Sequence, residues 1–125
     1  LDRISHRLMV MRLKHIYSSE EGTAGVTRRL KARERSLKAC YRDSLRRTHG
    51  RAPDTSRDPV VLFTVGHQGR VTARAVLRDE SGAELAICLL DVIDTVQFGI
   101  PRGAITRVQV DLHFELRDPH AILRP

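Results

Sequence analysis

Hydrophobic residues recur along this chain with two different periods, and each change of period marks an element. Residues 8–17, Leu-Met-Val-Met-Arg-Leu-Lys-His-Ile-Tyr, place Met9, Met11, Leu13 and Tyr17 on one side, with charges entering the other. Period two predicts a strand here, with a short helix as the alternative. Residues 18–25 are polar and glycine-containing, and lead into a helix predicted over 26–48. On a wheel of about 100° per residue, Val26, Leu30, Leu37, Cys40, Tyr41 and Leu45 gather on one face of that helix. Arg28, Lys31, Arg35, Lys38, Arg42 and Arg46 gather opposite. A loop over 50–59 follows, carrying Pro53 and closing on Asp58-Pro59.

Two apolar, β-branched runs, 60–65 and 70–77, flank Gly66-His67-Gln68-Gly69 and read as a hairpin. Ser81-Gly82-Ala83-Glu84 has the spacing of a capping box, in which the Ser and Glu side chains satisfy free amides at a helix start. The helix it opens runs from Ala83 to about Thr95, with Leu85, Cys88, Leu89, Val92 and Val96 turned to the core. Phe98-Gly99-Ile100-Pro101 ends it. The last strand alternates cleanly, with Thr106, Val108, Val110, Leu112, Phe114 and Leu116 on one side and Arg107, Gln109, Asp111, His113 and Glu115 on the other. Such alternation means one face buried and one in water.

The predicted order is β-α-β-β-α-β: an α+β domain whose small antiparallel sheet carries two helices packed on one face and leaves the other face open. The chain reads as one domain, 1–125, with its core over 8–116 and an irregular tail over 117–125. No internal repeat or low-complexity segment interrupts it. An open sheet offers a surface, and its edges offer backbone groups to a partner.

Composition agrees with a folded domain: of 125 residues, 41% are hydrophobic and 30% charged. Lys and Arg number 22 against 15 Asp and Glu, a net charge of +7. Nine basic and two acidic residues (Glu34, Asp43) lie between Arg28 and Arg47, so this stretch alone carries a charge equal to the whole chain's. The basic face Lys31, Arg35, Lys38, Arg42 and Arg46 is either a solvated face or a docking surface for an acidic protein, an anionic polymer or nucleic acid. Nucleic-acid recognition is disfavoured by the lack of Trp and by the few other aromatics, Phe63, Phe98, Phe114, Tyr17 and Tyr41, most of which sit at core positions. Gly66 to Gly69 matches an RNA-binding GxxG loop in letters only, because it joins strands. No apolar run approaches the roughly 20 residues that cross a bilayer. The chain begins at Leu1 rather than Met, which is expected of a piece of a longer protein whose signal, anchor or linker lies upstream.

Cys40 and Cys88 are the only cysteines, each on the inward face of a predicted helix. They form either a disulfide, which implies an oxidising compartment, or two buried thiols. Neither zinc ligation nor a cysteine nucleophile fits, since there is no CxxC pair and no histidine placed by spacing beside a thiol. Of the six histidines, only His113 lies in a regular strand with acidic neighbours, Asp111 and Glu115, on its face. A general acid–base pair is conceivable there, and an ordinary solvated strand face is the simpler reading.

Several of these segments, taken in order, resemble the TonB-like C-terminal domains, and most of all the AgmX/PglI type. They are the helix with Leu37-Lys38-Ala39-Cys40-Tyr41 before its last turns, then Val61-Leu62-Phe63-Thr64-Val65, Gly69-Arg70-Val71, Cys88 in the second helix, Phe98 to Pro101, and the alternating last strand. The likeness spans about residues 8–116. Two departures stand out: Val96-Gln97 replaces an aromatic before the Phe-Pro element, and Gly99-Ile100 separates Phe98 from Pro101. The inward placement of both cysteines, together with this envelope-type resemblance, favours a Cys40–Cys88 disulfide over two free thiols, within a scaffold that includes Tyr41, Phe63, Phe98 and Pro101. The resemblance implies a periplasmic module, anchored to the inner membrane through an upstream segment, in an energy-transducing, protein-transport or gliding-motility complex. No catalysis, metal or cofactor is implied. Partners would be outer-membrane or periplasmic envelope proteins, the rest of its own membrane-anchored chain, or a second copy in a homodimer. A partner segment would pair with the edge of the last strand, over 105–116, with Arg107, Gln109, Asp111, His113 and Glu115 giving selectivity. The competing expectation is a cytoplasmic nucleic-acid-binding module using the basic face.

Overall fold

A computed structural model describes residues 9–19, 24–47, 58–78 and 83–116. The elements are β1 (Met9–Ser18), α1 (Ala24–Lys31), α2 (Glu34–Arg47), β2 (Val60–Val65), β3 (Val71–Arg78), α3 (Ala83–Asp94) and β4 (Thr106–Leu116). The four strands form one sheet in the order β1-β4-β2-β3, with every neighbouring pair antiparallel. The helices cover one face and the other is open, as the alternation of β4 requires. Val108, Val110, Leu112 and Phe114 are buried, while Arg107 and Glu115 are exposed.

The core lies between helices and sheet. Leu30, Leu37, Cys40, Tyr41 and Leu45 enter it from α1 and α2, Leu85, Leu89, Leu90 and Ile93 from α3, and Val61, Phe63 and Val65 from β2. Tyr41 stacks on Phe114 at 5.0 Å between ring centroids, and Phe63 stacks on Phe98 at 5.2 Å. Stacked pairs of this kind add about 0.5–1.5 kcal/mol to the area each ring buries. Phe98 and Pro101, though outside any regular element, are buried as well.

Three features differ from the sequence reading. First, the helix expected over 26–48 is two. At Arg33 the amide bonds back to the Leu30 carbonyl, three residues away, and this tight turn breaks the ladder between α1 and α2. It also aims arginines at the end of α3: Arg29 Nη1 donates to the Gln97 carbonyl at 2.7 Å and Arg33 Nη2 to the Thr95 carbonyl at 3.2 Å. Cations suit a helix C-terminus, where carbonyls lack intrahelical partners. The core face survives the break because Leu30 and Leu37 are seven residues apart.

Second, Tyr17 does not share a face with Met9, Met11 and Leu13. Lys14 pairs with Asp111 and Tyr17 with Gln109, so β1 spends one more residue than β4 over this interval. His15 takes up the extra residue in a left-handed conformation, φ 49°. Beyond such a bulge the parity inverts. Ile16 turns toward the core, and Tyr17 is left 62% exposed.

Third, β4 is not an edge. It lies between β1 and β2, pairing with β1 over Val108 to Leu116 and with β2 over Thr106 to Asp111. Pairing is carried further by Ser19, which bonds Arg107, and by the Pro59 carbonyl, which accepts from the Leu112 amide. The proposed capping residue Ser81, most of the 50–59 loop and the 117–125 tail lie outside the described residues.

Candidate functional site

Cys40 of α2 and Cys88 of α3 are joined, with their Cα atoms 5.7 Å apart. The bond links the two helices across the top of the core, where α2 packs on α3. Cys40 is buried and Cys88 partly so. Of the expectations set by the sequence, this pairing is the one with direct geometry, and it hints at an oxidising compartment.

The strand residues Arg107, Gln109, Asp111, His113 and Glu115 do share the open face, but they present side chains there and no backbone edge. The edge-pairing role assigned to this strand is therefore corrected. β1 occupies one flank of β4 over Val108 to Leu116, and β2 the other over Thr106 to Asp111. His113 makes its contact with Asp58, just ahead of β2: Nδ1 lies 2.9 Å from Oδ1. Lys14 Nζ stands 3.9 Å from the other oxygen of Asp58. Asp111 sits opposite Lys14 in the ladder. This is a part-buried charge cluster that ties the open face to the segment just ahead of β2, and it is not the His113-Asp111-Glu115 grouping that the spacing offered. Burial of the phenol, and secondarily the Asp58 charge, raises the Tyr41 pKa.

The basic face is less available than the sequence implies. Lys31, Arg35 and Arg46 are exposed, but Lys38 lies 3.8 Å from Glu34 and is largely covered, Arg46 lies 3.7 Å from Asp43, and Arg42 is partly buried. Arg29 and Arg33, which contribute to the same local charge, hold the end of α3. Among the described residues no group of His, Cys, Asp and Glu could hold a metal ion, and no helix is long and apolar enough to cross a membrane.

Surface cavities lie among the described residues. One of about 250 Å³ lies between the end of β1, α1 and residues 98–100, lined by Val26, Arg28, Arg29 and Phe98 among others. A shallower depression of about 110 Å³ lies on the open face, lined by Leu62, Thr64, Ala73, Arg74 and Ala75. Neither includes His113.

The outer strands, β1 and β3, are the two edges of the sheet among the described residues. They differ in chemistry. β1 carries Arg12 and Lys14 and is broken by the His15 bulge, features that discourage pairing with another chain. β3 exposes Thr72-Ala73-Arg74-Ala75-Val76. Its register shifts fall next to Thr72 and Leu77, so residues 73–76 run regularly. The one charge there, Arg74, is turned onto α3, where Nη1 lies 2.8 Å from Asp91 Oδ1 and 3.1 Å from Asp94 Oδ2. Val76 and, on α3, Ile87 are exposed apolar side chains, at 39% and 52%. Sequence reasoning missed β3 as an edge because strand order is a long-range property, and its own residues, with Arg74 and Arg78 among them, do not announce it. No family model, curated protein or solved structure matches this chain.

Proposed function

We propose that the chain is a non-enzymatic protein-interaction module of the periplasm, belonging to an envelope-spanning complex of the energy-transducing, transport or gliding-motility kind. It takes an extended partner segment as a fifth strand beside β3. The observation that carries this reading is the contrast between the guarded edge of β1 and the unguarded run over residues 73–76. The Cys40–Cys88 bond supports the compartment, since structural disulfides persist where thiols are not kept reduced. The resemblance to TonB-like C-terminal domains supports the envelope setting. What changes from the expectation it raised is the edge: β4 lies between β1 and β2 of the same chain, and β3 is an outer strand. The alternative, nucleic-acid binding through the first helical segment, loses support because much of that charge is paired or held inside the fold.

The test is site-specific photo-crosslinking in cells, with the protein exported under its native upstream sequence. A crosslinker at Ala75 should capture one envelope protein within one short segment, whereas a crosslinker at Arg12 should not. Capture from Arg12 alone, or of nucleic acid from Arg35, would reject the reading.

A further inference from the structure

We infer that the segment added at β3 is basic and amphipathic, with a Lys or Arg on its helix side and large apolar side chains on its open side. The inference rests on the strand-addition reading and names the chemistry of the occupant.

The geometry comes from two registers. Within β3, Ala73 and Ala75 lie opposite Thr64 and Leu62 and face away from the helices, while Arg74 and Val76 lie opposite Phe63 and Val61 and face α3. The end of α3 is tied to the start of β3, since the Phe98 amide donates to the Gly69 carbonyl and Gln97 Nε2 to the Gln68 carbonyl. The helix therefore runs antiparallel to the strand above it. Asp91 and Asp94 stand over Arg74, and Ile87 lies one helical turn before Asp91 and is exposed. The reach of Arg74 to both Asp91 and Asp94 puts these carboxylates on the side of α3 that meets β3.

On that flank two carboxylates meet one guanidinium, so the site keeps a net negative charge within a protein of net charge +7. An incoming strand places one helix-side residue beside Arg74 and the next beside Val76. A Lys or Arg at the first completes the neutralisation of Asp91 and Asp94, and an aliphatic residue at the second covers Val76. On the open side, Ala73 and Ala75 are too small to cover the depression of about 110 Å³ floored by Leu62 and Thr64. Long side chains from the partner's alternate positions fill it. A second copy of this chain is the poorer occupant. Pairing β3 with itself across a twofold axis would set the Asp91 and Asp94 flank of one copy against that of the other, and like charges so placed suppress association.

The test measures binding of labelled eight-residue peptides, matching β3 in length, to the oxidised full chain at low salt. One carries alternating Phe on one side with Lys and Val on the other; a second replaces Lys with Glu; a third is the Lys peptide N-methylated along one backbone edge. The Lys peptide should bind about fivefold tighter than the Glu peptide, the scale expected of partly exposed charge pairs. That preference should vanish in Asp91→Asn/Asp94→Asn and halve in Asp94→Asn, which keeps the Asp91–Arg74 pair in case the double variant is unstable. Equal binding by Lys and Glu peptides, with N-methylation abolishing binding of the Lys peptide, overturns the charge inference and leaves strand addition standing. Unchanged binding of the N-methylated peptide, or no binding of any peptide, overturns strand addition itself. A concentration-dependent dimer that excludes the Lys peptide assigns the edge to a second copy and rejects the basic partner.

Discussion

Gly69 shows how one residue can hold the hairpin to the rest of the fold. Its φ of 79° lies in the left-handed region, its amide closes the turn onto Gly66, and its carbonyl accepts from the Phe98 amide. A Cβ there would overlap the Phe98 carbonyl oxygen and the Gln97 side chain. Gly69→Ala should therefore cost about 2–4 kcal/mol, read as a lower denaturant midpoint, because neither the backbone angle nor the space suits a side chain. His15 is the converse, a non-glycine residue held at φ 49° on the exposed side of a bulge. His15→Gly should raise stability by about 0.5–1 kcal/mol by releasing that strain. Tyr41 adds a pH dependence. Burial first, and the Asp58 charge second, raise its pKa above the ordinary value of 10.0. The unfolded chain then ionises before the folded one, so the contribution from keeping this phenol neutral is complete below about pH 10 and declines as pH rises toward the folded value. Chemical denaturation across that range should show a shallower alkaline loss in Tyr41→Phe than in the parent.

At the scale of elements, the disulfide closes a loop between residues separated by 48 positions and binds the two helices that roof the sheet. Cys40→Ala/Cys88→Ala should lose about 4 kcal/mol by the chain-entropy relation, measured against the oxidised parent in urea. Periodicity made most of these elements legible. The alternation of β4, the hairpin at Gly66 to Gly69 and the helix from Ala83 all lie where their patterns place them. What escaped depends on contacts between distant segments. The break at Arg33 leaves the seven-residue interval from Leu30 to Leu37 intact, so no change of period announces it, and its role at the end of α3 is a tertiary one. The bulge at His15 hides in an apparently regular alternation and reverses Tyr17. The centrality of β4 could not be read from its own residues, because an interior strand with one open face has the same pattern as an edge strand.

Across the whole molecule, charge is distributed in a way that its total conceals. The excess of +7 lies in the first helical segment, yet part of it is directed into the fold or paired along the helix, while the β3 edge meets a locally acidic flank of α3. A module so arranged presents its unguarded backbone beside negative charge and turns its guarded strand, β1, the other way. Duplex DNA should accordingly bind weakly and be lost by moderate salt, and filter binding over a salt series checks this. The measurement that bears most directly on strand addition is amide NMR of the oxidised chain titrated with the Lys-bearing strand peptide. New hydrogen-bond protection and shift changes confined to β3 and the facing residues of α3 are the predicted result. Changes centred on β1, or on the exposed residues Lys31 and Arg35, would contradict it.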